Sequence, residues 1–428
     1  MGCGQTGSVE PDGRVLICGG GIGGLSLALS LHAAGWTDLE VFEAAPRIEE
    51  LGVGINLLPH AVRELTELGL ADELAAAGLA TAELVLCNKH GQHIWREPRG
   101  LAAGYRWPQY SIHRGRLLGL LHRAFLERLG KDRLHTGHRV VRAEDQTDAI
   151  GLHFTDRPPV RGDVVVGADG IHSAIRAQCY PDEGAVLWNG QTLWRSTAWA
   201  PPFLTGRSMV VLGYFGYRVV TYPISEPRAD GLVLTNIVLE AQTAVGRPMP
   251  RHAWDHTADP DEPRARFGQL RFDWLDVAEI IDAVPIWWQY PMADRDPLPQ
   301  WSFGRLTLLG DAAHPMYPVG SNGASQAILD ARTLARSLTL QPNLEAAFAD
   351  YEGVRRTATS AIVRSNRAVL SERCMELAEE RAPDGFDDVS DVFAPGELEE
   401  LSAEFRRIAG FDPTVLNERP SLSVAPRS

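Results

Sequence analysis

The hydrophobic positions near the start of the chain form short apolar runs on either side of a helical segment. Val15–Cys18 and Leu39–Glu43 have the length and apolar content of buried strands, and Leu25–Ala34 between them is rich in Ala and Leu, which favour helices. A strand, a helix and a second strand within about 30 residues make the crossover that joins two parallel strands. The pattern therefore predicts a βαβ unit at residues 15–43.

The middle of the chain has a different pattern. Between residues 186 and 294, short β-rich runs are separated by turn residues, which predicts an antiparallel sheet, and residues 264–283 predict one helix that interrupts it. This part holds seven of the 11 tryptophans: Trp188, Trp194, Trp199, Trp254, Trp274, Trp287 and Trp288. They either line a wide pocket for a flat aromatic ligand or pack in the core of the β-rich part.

The remaining hydrophobic pattern predicts elements on both sides of the β-rich part. The expected helices are 59–77, 114–130 and 345–380, and the expected buried strands are Val164–Val166 and Leu306–Leu309. The acidic tail beyond residue 382 is expected to be peripheral.

Composition and charge narrow the classes of function. The 428 residues, 44% of them hydrophobic and 22% charged, suit a globular chain of more than one domain. The formal net charge is −14 and no basic stripe is present, so no nucleic-acid partner is expected. The five scattered cysteines have neither metal-ligand nor redox-motif spacing, which predicts no metal site and a reducing cytoplasm. A run of glycines breaks the uncharged segment Val15–Thr37, so no membrane span is predicted.

A glycine-rich loop follows the first predicted strand and leads into the first helix. Its residues are Gly19, Gly20, Gly21, Ile22, Gly23 and Gly24, which fit the pattern G-x-G-x-x-G. Gly19 allows a tight turn, Gly21 lets a pyrophosphate approach the backbone, and Gly24 lets helix and strand pack closely. The helix start offers N–H groups to the anion, and Glu43 ends the next strand, where a carboxylate can accept hydrogen bonds from ribose hydroxyls. The alternative is a purely structural glycine turn.

Three further segments carry a family resemblance. They are Asp163–Arg176, which contains Asp169-Gly170; Leu309–Ser325, which contains Gly310-Asp311; and Ser111–Leu117, which contains Arg114. With them the chain resembles the class A FAD-dependent aromatic hydroxylases over roughly residues 14–365, as the DG motif, the GD motif and the flavin-contacting arginine of that family. The likeness is strongest to its phenazine-hydroxylating members, through the stretches 51–56, 108–114 and 289–299.

The resemblance implies that FAD is the cofactor. The cofactor-binding residues would be those of the glycine-rich loop (Gly19, Gly21, Ile22, Gly23, Gly24) and Glu43, together with Gly54, Arg114, Asp169, Asp311, Gly320, Asn322, Gly323 and Ala324. Asp311 would bond the ribityl hydroxyls, and the helix after it would place its positive end beside the N1–C2=O edge, where reduced flavin is negative. Three alternatives stay open: Arg114 as a surface arginine, Asp169 as a residue that orients its own turn, and His314 as a packed structural residue.

Arg218 and Tyr222 are candidates for the substrate side. They lie four residues apart in a predicted strand, so their side chains share a face. The resemblance implies that Arg218 pairs with a substrate carboxylate, that Tyr222 bonds a ring substituent, and that Pro318 lies against the flavin face where oxygen reacts. A surface or core role is the alternative for Arg218 and Tyr222. The sequence Trp194-Arg195-Ser196 departs from the Trp-Arg-Gly of the nearest members, which leaves the substrate open.

We therefore predict a mixed α/β fold of three parts. A Rossmann-like FAD-binding domain takes residues 14–185 and 295–345, and an antiparallel β-sheet substrate domain takes residues 186–294, with 81–110 as a candidate contributor. Helices and the tail follow at residues 346–428.

The function implied is a monooxygenase that consumes NADH or NADPH and O₂. It would hydroxylate a small aromatic or N-heteroaromatic molecule through a C4a-hydroperoxyflavin, with loss of CO₂ where the attacked carbon bears a carboxylate, in secondary metabolism. A cytoplasmic monomer or homodimer is expected. The alternatives are a flavin-dependent epoxidase or Baeyer–Villiger-type oxygenase acting on a polyketide-like substrate, and a flavoprotein without catalytic activity.

Overall fold

The structure is a computed structural model that describes residues 13–50, 52–244 and 256–425. Its helices are α1 (Ile22–Ala33), α2 (Pro59–Glu67), α3 (Ala71–Ala77), α4 (Arg114–Leu129), α5 (Ala174–Cys179), α6 (Asp261–Phe267), α7 (Val277–Asp282), α8 (Gly323–Leu340), α9 (Leu344–Arg367), α10 (Arg373–Arg381), α11 (Glu397–Ala409) and α12 (Pro413–Glu418).

The strands are β1 (Val15–Cys18), β2 (Leu39–Glu43), β3 (Gly54–Leu57), β4 (Gly78–Ala80), β5 (Glu83–Cys87), β6 (His93–Pro98), β7 (Tyr110–His113), β8 (Leu134–Thr136), β9 (Val140–Asp145), β10 (Ile150–Phe154), β11 (Val160–Gly162), β12 (Val164–Gly167), β13 (Leu187–Ala200), β14 (Ser208–Tyr214), β15 (Tyr217–Pro223), β16 (Val233–Gln242), β17 (His256–Thr257), β18 (Arg271–Phe272), β19 (Leu275–Asp276), β20 (Trp288–Asp294), β21 (Ser302–Phe303) and β22 (Leu306–Leu308).

A mostly parallel sheet forms the first half of the fold. Its strand order is β21-β22-β12-β1-β2-β8, and β1 pairs in parallel with both β2 and β12. All four residues of β1 are fully buried, as expected of a strand that is covered on both faces. The predicted β1–α1–β2 unit is present, with the helix starting at Ile22 instead of Leu25 because Gly21 already serves as its N-cap.

A large, mainly antiparallel sheet forms the second half. Its order is β17-β20-β13-β16-β15-β14-β5-β6, and β14 pairs in parallel with β5. Strands β5 and β6 come from the segment 81–110, so a part of the chain that precedes β12 of the parallel sheet completes the edge of the large sheet. The mixed α/β fold class is confirmed.

The two faces of the large sheet meet different neighbours. One face packs against α6 and α7, and Trp194 and Trp287 are buried in that core. The other face meets the C-terminal region, where Cys374 and Met375 of α10 pack against Leu84 and Val211. The C-terminal helices thus cover the sheet face that is not covered by α6 and α7.

The predicted helices 59–77 and 345–380 are each divided, into α2 and α3 and into α9 and α10, and two further predictions about elements were wrong. Residues 264–283 form two short helices joined through β18 and β19, because Gly268 ends the first helix and the Asp276 carboxylate accepts the Glu279 N–H at 2.8 Å to start the second. The tail beyond 382 is not peripheral, because α11 buries Phe405 and Ala409 against the rest of the protein. Within the described residues, none of the helices combines the length and the apolar content that a bilayer span needs.

Candidate active site

The glycine-rich loop between β1 and α1 borders an open groove. Gly19 has a φ of +109°, and a Cβ there would collide with the Ala168 carbonyl, so backbone geometry and packing both require glycine. A Cβ on Gly24 would collide with the Gly19 carbonyl. Gly21 differs, because its φ of −78° suits any residue and a Cβ would have no neighbour within 4 Å. The protein itself does not need glycine at Gly21, which indicates that a ligand approaches the backbone there.

The groove collects most of the predicted cofactor residues. Those that line it are Gly21, Ile22, Gly23, Gly54, Arg114, Asp311, Asn322, Gly323 and Ala324, and Pro318, predicted to lie against the flavin face, lines it as well. They come from α1, β3, α4 and the segment between β22 and α8, which are far apart in sequence. Gly19, Gly24, Glu43, Asp169 and Gly320 stand beside the groove without lining it.

Two charged side chains face this groove without a protein partner. The Asp311 side chain is exposed to the groove and accepts no hydrogen bond from the described residues; desolvation by the surrounding protein raises its pKa, and His314 and Arg114 offset part of the rise. The Arg114 side chain is also exposed, and its guanidinium has no ion pair within the same part of the chain. Both charged groups are therefore open to a ligand in the groove.

Glu43 and Asp169 are engaged by the backbone. The Glu43 carboxylate accepts the N–H groups of Gly20 at 2.8 Å and Ala45 at 2.7 Å, which holds it against the glycine-rich loop. The Asp169 carboxylate accepts the Ser173 hydroxyl at 2.5 Å and the Ala174 N–H at 2.8 Å. This geometry favours the alternative in which Asp169 orients its own turn, and its contact with a cofactor stays a prediction.

The start of α8 points at the other side of the groove. Its first backbone hydrogen bond runs from the Gln326 N–H to the Asn322 carbonyl at 2.8 Å, so the N–H groups that precede Gln326 lie at the open helix end. A Cβ on Gly323 would meet nothing within 4 Å, as at Gly21. The loop before the helix is tightly turned, with φ of +69° at Gly320 and +59° at Ser321.

A buried network supports this loop from below. Asp330 of α8 accepts hydrogen bonds from the Gly310 N–H at 3.0 Å, from His314 Nε2 at 2.5 Å and from Arg355 Nε at 2.7 Å. Burial alone would raise the pKa of Asp330, but His314 and then Arg355 outweigh it and hold the value at about 2. His314 is buried against the Trp301 ring, as its predicted structural role requires. The sequence analysis did not identify Asp330, although an acidic residue within a largely apolar helix was a signal for it.

A second cavity adjoins the groove. It is bounded by the large sheet, the loop 318–321 and the C-terminal residues Ser371, Glu372 and Phe405. Arg195, Tyr222, Pro318 and Ser321 line both cavities and so form their shared wall. We call this second cavity the inner pocket. Arg218 and Tyr222 both line it, in keeping with their predicted common face on β15.

Arg218 is already paired within the chain. Its guanidinium donates to Glu240 at 2.8 Å from Nε and also to Glu372, and all three side chains are buried. This geometry argues against the predicted pairing of Arg218 with a substrate carboxylate, because two acids of the protein occupy its donors. A place for Arg218 in the wall of the inner pocket remains.

Arg195 was not among the predicted residues. Its Nη2 donates to the Gly54 carbonyl at 3.2 Å, its Nε is buried without a partner, and no acid of the described chain pairs with it. Burial lowers its pKa, although nearby Tyr222 and Tyr290 partly compensate. The Tyr222 hydroxyl likewise forms no hydrogen bond within the described residues. The available signal was alternation on β13, because Trp194 faces the core and Arg195 must then face the opposite side.

The tryptophans of residues 186–294 do not line either cavity, as far as the structure describes them. Aliphatic side chains share the lining of the inner pocket with charged and polar ones, and Tyr222 and Phe405 are its aromatic residues. The interpretation of a tryptophan-lined pocket was therefore wrong for the described residues, and the core alternative holds for Trp194 and Trp287. Trp254 lies outside the described residues.

Comparison with known proteins gives a consistent result. A protein-family model described as an FAD binding domain matches residues 12–185 and 258–365. The chain is 45% identical over 362 residues to the phenazine 1,6-dicarboxylic acid hydroxylase PhzS of Lysobacter antibioticus, which covers 82% of this chain and 89% of that protein. It is 34% identical to the 3-amino-4-hydroxybenzoate 2-monooxygenase of Streptomyces cremeus, over 88% of this chain and 90% of the relative.

Solved structures agree on the fold. The crystal structure of Klebsiella pneumoniae HpxO complexed with FAD and uric acid superposes with a TM-score of 0.73 at 24% identity, covering 94% of this chain and 97% of that one.

Proposed function

Because the chain belongs to the FAD-binding-domain family of these hydroxylases and monooxygenases, we propose that it hydroxylates an aromatic or N-heteroaromatic carboxylic acid. It would act as a FAD-dependent monooxygenase that consumes NADH or NADPH and O₂. The observation that carries this proposal is the shared wall: the groove that collects the predicted cofactor residues adjoins a second pocket, with Arg195 and Tyr222 at the boundary.

The residues of the groove fit FAD. Gly21 and Gly323 leave space that nothing in the protein fills, which suits close approach of a pyrophosphate and of a flat ring. Arg114 and Asp311 supply an unpaired cation and an unpaired acceptor, as phosphates and ribityl hydroxyls require. The Glu43 carboxylate, held by two backbone N–H groups, keeps further lone pairs for ribose hydroxyls.

When bound, FAD supplies the redox chemistry that takes electrons from the nicotinamide cofactor and activates O₂ for transfer of one oxygen atom. The protein contributes placement and electrostatics. The open N-terminus of α8 favours negative charge at the ring edge beside Asn322, Gly323 and Ala324. Pro318 and Ser321 stand in the shared wall, so they would separate the ring from the inner pocket.

The substrate acid would lie in the inner pocket. Arg195 and Tyr222 hold unsatisfied donors at the shared wall, where a carboxylate or ring oxygen would satisfy both. The aliphatic walls exclude water from the ring that is attacked. Relatives are named for a phenazine dicarboxylic acid and an aminohydroxybenzoate, which are aromatic acids. If the attacked carbon bears the carboxylate, hydroxylation would release CO₂.

We further propose a cytoplasmic protein of secondary metabolism. Cys18, Cys87, Cys179 and Cys374 are free thiols, which suits a reducing compartment. A monomer and a homodimer both remain compatible with this proposal.

The test is a turnover experiment with the purified full chain. We expect a flavin absorption spectrum, and we expect phenazine-1,6-dicarboxylate or 3-amino-4-hydroxybenzoate to accelerate consumption of NADH or NADPH. Mass spectrometry after reaction under isotopically labelled dioxygen should find one labelled oxygen on an aromatic carbon.

Two results would contradict the proposal. One is a colourless protein that does not take up added FAD. The other is a flavoprotein whose NADH and NADPH consumption no aromatic acid accelerates. Label in an epoxide or an ester oxygen would instead identify the epoxidase or Baeyer–Villiger alternative.

A further inference from the structure

The inner pocket has an acidic end that the proposed reaction does not use. Glu372 lies in a short 3-10 helix, Leu370–Glu372, which follows α9. Val369, with a φ of +52°, turns the chain there so that Glu372 reaches Arg218 on β15. Glu240 of β16 meets the same guanidinium. Three separate elements therefore converge on one wall of the pocket.

The charges on this wall do not balance. Two buried carboxylates, Glu240 and Glu372, share the single guanidinium of Arg218, so the wall carries one excess negative charge whenever both acids are ionised. Glu376 adds a half-buried carboxylate nearby, which accepts the Phe215 N–H at 2.6 Å. An excess charge in a dry wall is costly unless something compensates it.

Glu372 presents an unused acceptor to the pocket. Its Oε2 takes the hydrogen bond from Arg218, whereas its Oε1 receives none from the part of the chain that the structure describes. Donor-bearing residues also line the pocket, among them Arg99, Arg195 and Ser371, but no hydrogen bond joins any of them to this oxygen. The oxygen can therefore accept a hydrogen bond from a ligand or from water.

The floor of the pocket links this acidic end to the basic end. In the sheet register Arg195 stands opposite Val238, and Val238 stands opposite Val220. The next row holds Glu240 opposite Arg218. A flat ring on the valine floor would thus have unsatisfied donors on one side and an unsatisfied carboxylate oxygen on the other.

We propose that Glu372 recognises a hydrogen-bond-donating group on the substrate, an amino, hydroxyl or protonated ring nitrogen, while Arg195 and Tyr222 hold the acid group. This inference rests on the proposed function for the aromatic acid, and it predicts that aromatic acids which also carry a donor bind more tightly than matched acids that lack one. Glu372 is then a residue of substrate selection.

The protonation of Glu372 makes this role depend on pH. Burial, followed by the charges of Glu240 and Glu376, raises its pKa to about 7 against the opposing effect of Arg218. Arg99 and Arg195 are the other charged groups that line the pocket. Only the ionised carboxylate is purely an acceptor, so preference for a donor-bearing ligand should increase as the pH rises through about 7.

The test compares ligands of one shape that differ in the donor. The FAD-loaded full chain is titrated with the three positional isomers of hydroxybenzoate and of methylbenzoate, and with 6-hydroxyphenazine- and 6-methylphenazine-1-carboxylate. Quenching of flavin fluorescence gives each dissociation constant without turnover. We expect at least one hydroxyl ligand to bind about tenfold more tightly than its methyl partner.

Glu372→Gln then changes the polarity of the group with little change of shape. The amide oxygen can stay on Arg218, which turns the NH₂ group toward the pocket and replaces an acceptor with a donor. The hydroxyl preference should fall about tenfold. The matched control is Glu376→Gln, which also removes a neighbouring charge but leaves the group facing the pocket in place, and the preference should persist.

The inference is overturned if no pair shows a hydroxyl preference, if neither member of any pair binds, or if the preference survives Glu372→Gln. A separate NADH assay keeps the two proposals apart. A ligand that binds in a Glu372-dependent way without being oxygenated would sink the proposed function alone. Turnover that is indifferent to Glu372 would sink only this inference.

Discussion

At the scale of single residues, Gly21 and Gly323 are explained by a ligand that approaches the backbone, because nothing in the fold requires glycine at either position. Gly21 and Gly323 have ordinary backbone angles for any residue and empty space where a side chain would project. Gly353, on the surface of α9, shares both properties but is far from the groove. Substitutions at the three positions can therefore distinguish glycines required for ligand binding from a glycine without that role.

Gly21→Ala and Gly323→Ala should weaken FAD binding about tenfold or more, because the new methyl group overlaps the ligand. The unfolding free energy of the cofactor-free protein should not fall. Titration with FAD and denaturant melts measure the two quantities. Gly353→Ala, the control, should bind FAD normally and gain up to about 1 kcal/mol of helix stability. Unchanged FAD binding by all three variants would remove the assigned role of the glycines.

Glu372 also predicts a pH-dependent stability. Its pKa is about 7 in the folded chain, above its ordinary value of 4.5, so the folded state favours the protonated form. The stability that this group contributes is complete below about pH 4.5 and is lost as the pH rises through about 7. Glu372→Gln, which cannot ionise, should therefore match the natural protein near pH 5 and be more stable near pH 8, by about 2 kcal/mol. Denaturant melts at the two pH values test this, and an equal difference at both would contradict it.

At the scale of elements, Asp330 joins α8 and α9 to the loop that carries Asp311. It bonds Gly310 and His314 at one end of the loop. Through Arg355 it reaches Gln326, whose side chain accepts from Arg355 at 2.6 Å and donates to Asn322 at 3.3 Å at the other end. One buried acid thereby fixes both ends of the loop 310–322.

Asp330→Asn should lower the unfolding free energy by about 3 kcal/mol, because it leaves Arg355 without its buried counter-charge. FAD affinity should fall as well, although Asp330 does not line the groove. The control is Asp350→Asn on α9, whose exposed carboxylate accepts only the Ser337 hydroxyl at 2.7 Å, and it should change neither quantity measurably. Normal FAD affinity in a destabilised Asp330→Asn protein would show that the network serves folding alone.

The elements that the sequence pattern predicts well are those with local causes. Val15–Cys18, the glycine-rich loop and the helix at Arg114–Leu129 follow from apolar runs, turn residues and periodicity within one segment. The prediction of a single helix over 264–283 was wrong because it followed the apolar pattern and gave too little weight to Gly268, where the first helix ends. Glu372 could not be recognised, because its role arises when the segment after α9 meets β13 and β15 around one cavity, whereas Arg195 was missed although alternation on β13 was a signal for it.

At the scale of the whole molecule, the C-terminal region completes the inner pocket. Phe405 of α11 lies so close to Gly320 that a Cβ on that glycine would collide with its ring. Phe405 also lines the pocket, more than 80 residues after the loop that it covers. Nothing in the polar sequence around it predicted this contact, which depends on how the last helices pack on the sheet.

Phe405→Ala should open the inner pocket to water and raise the amount of NADH or NADPH consumed per molecule of product. Phe393→Ala is the matched control, because Phe393 is equally buried in the C-terminal region but does not line the pocket. Both changes should cost about 3–5 kcal/mol of stability. Product yield per nicotinamide oxidised, measured for both variants below their melting temperatures, distinguishes them. Equal yields would show that Phe405 acts only as a core residue.

The parallel pairing of β5 with β14 limits how the substrate range of this protein can change, whether by natural substitution or by design. The edge strands of the large sheet, β5 and β6, precede β12 and β22 of the parallel sheet in the sequence. Neither of the two sheets can therefore be removed or exchanged as one continuous segment of the chain. New substrate ranges are expected to arise by single substitutions of residues that line the inner pocket. Replacing residues 186–294 with those of a relative should give insoluble protein unless residues 81–110 are replaced as well.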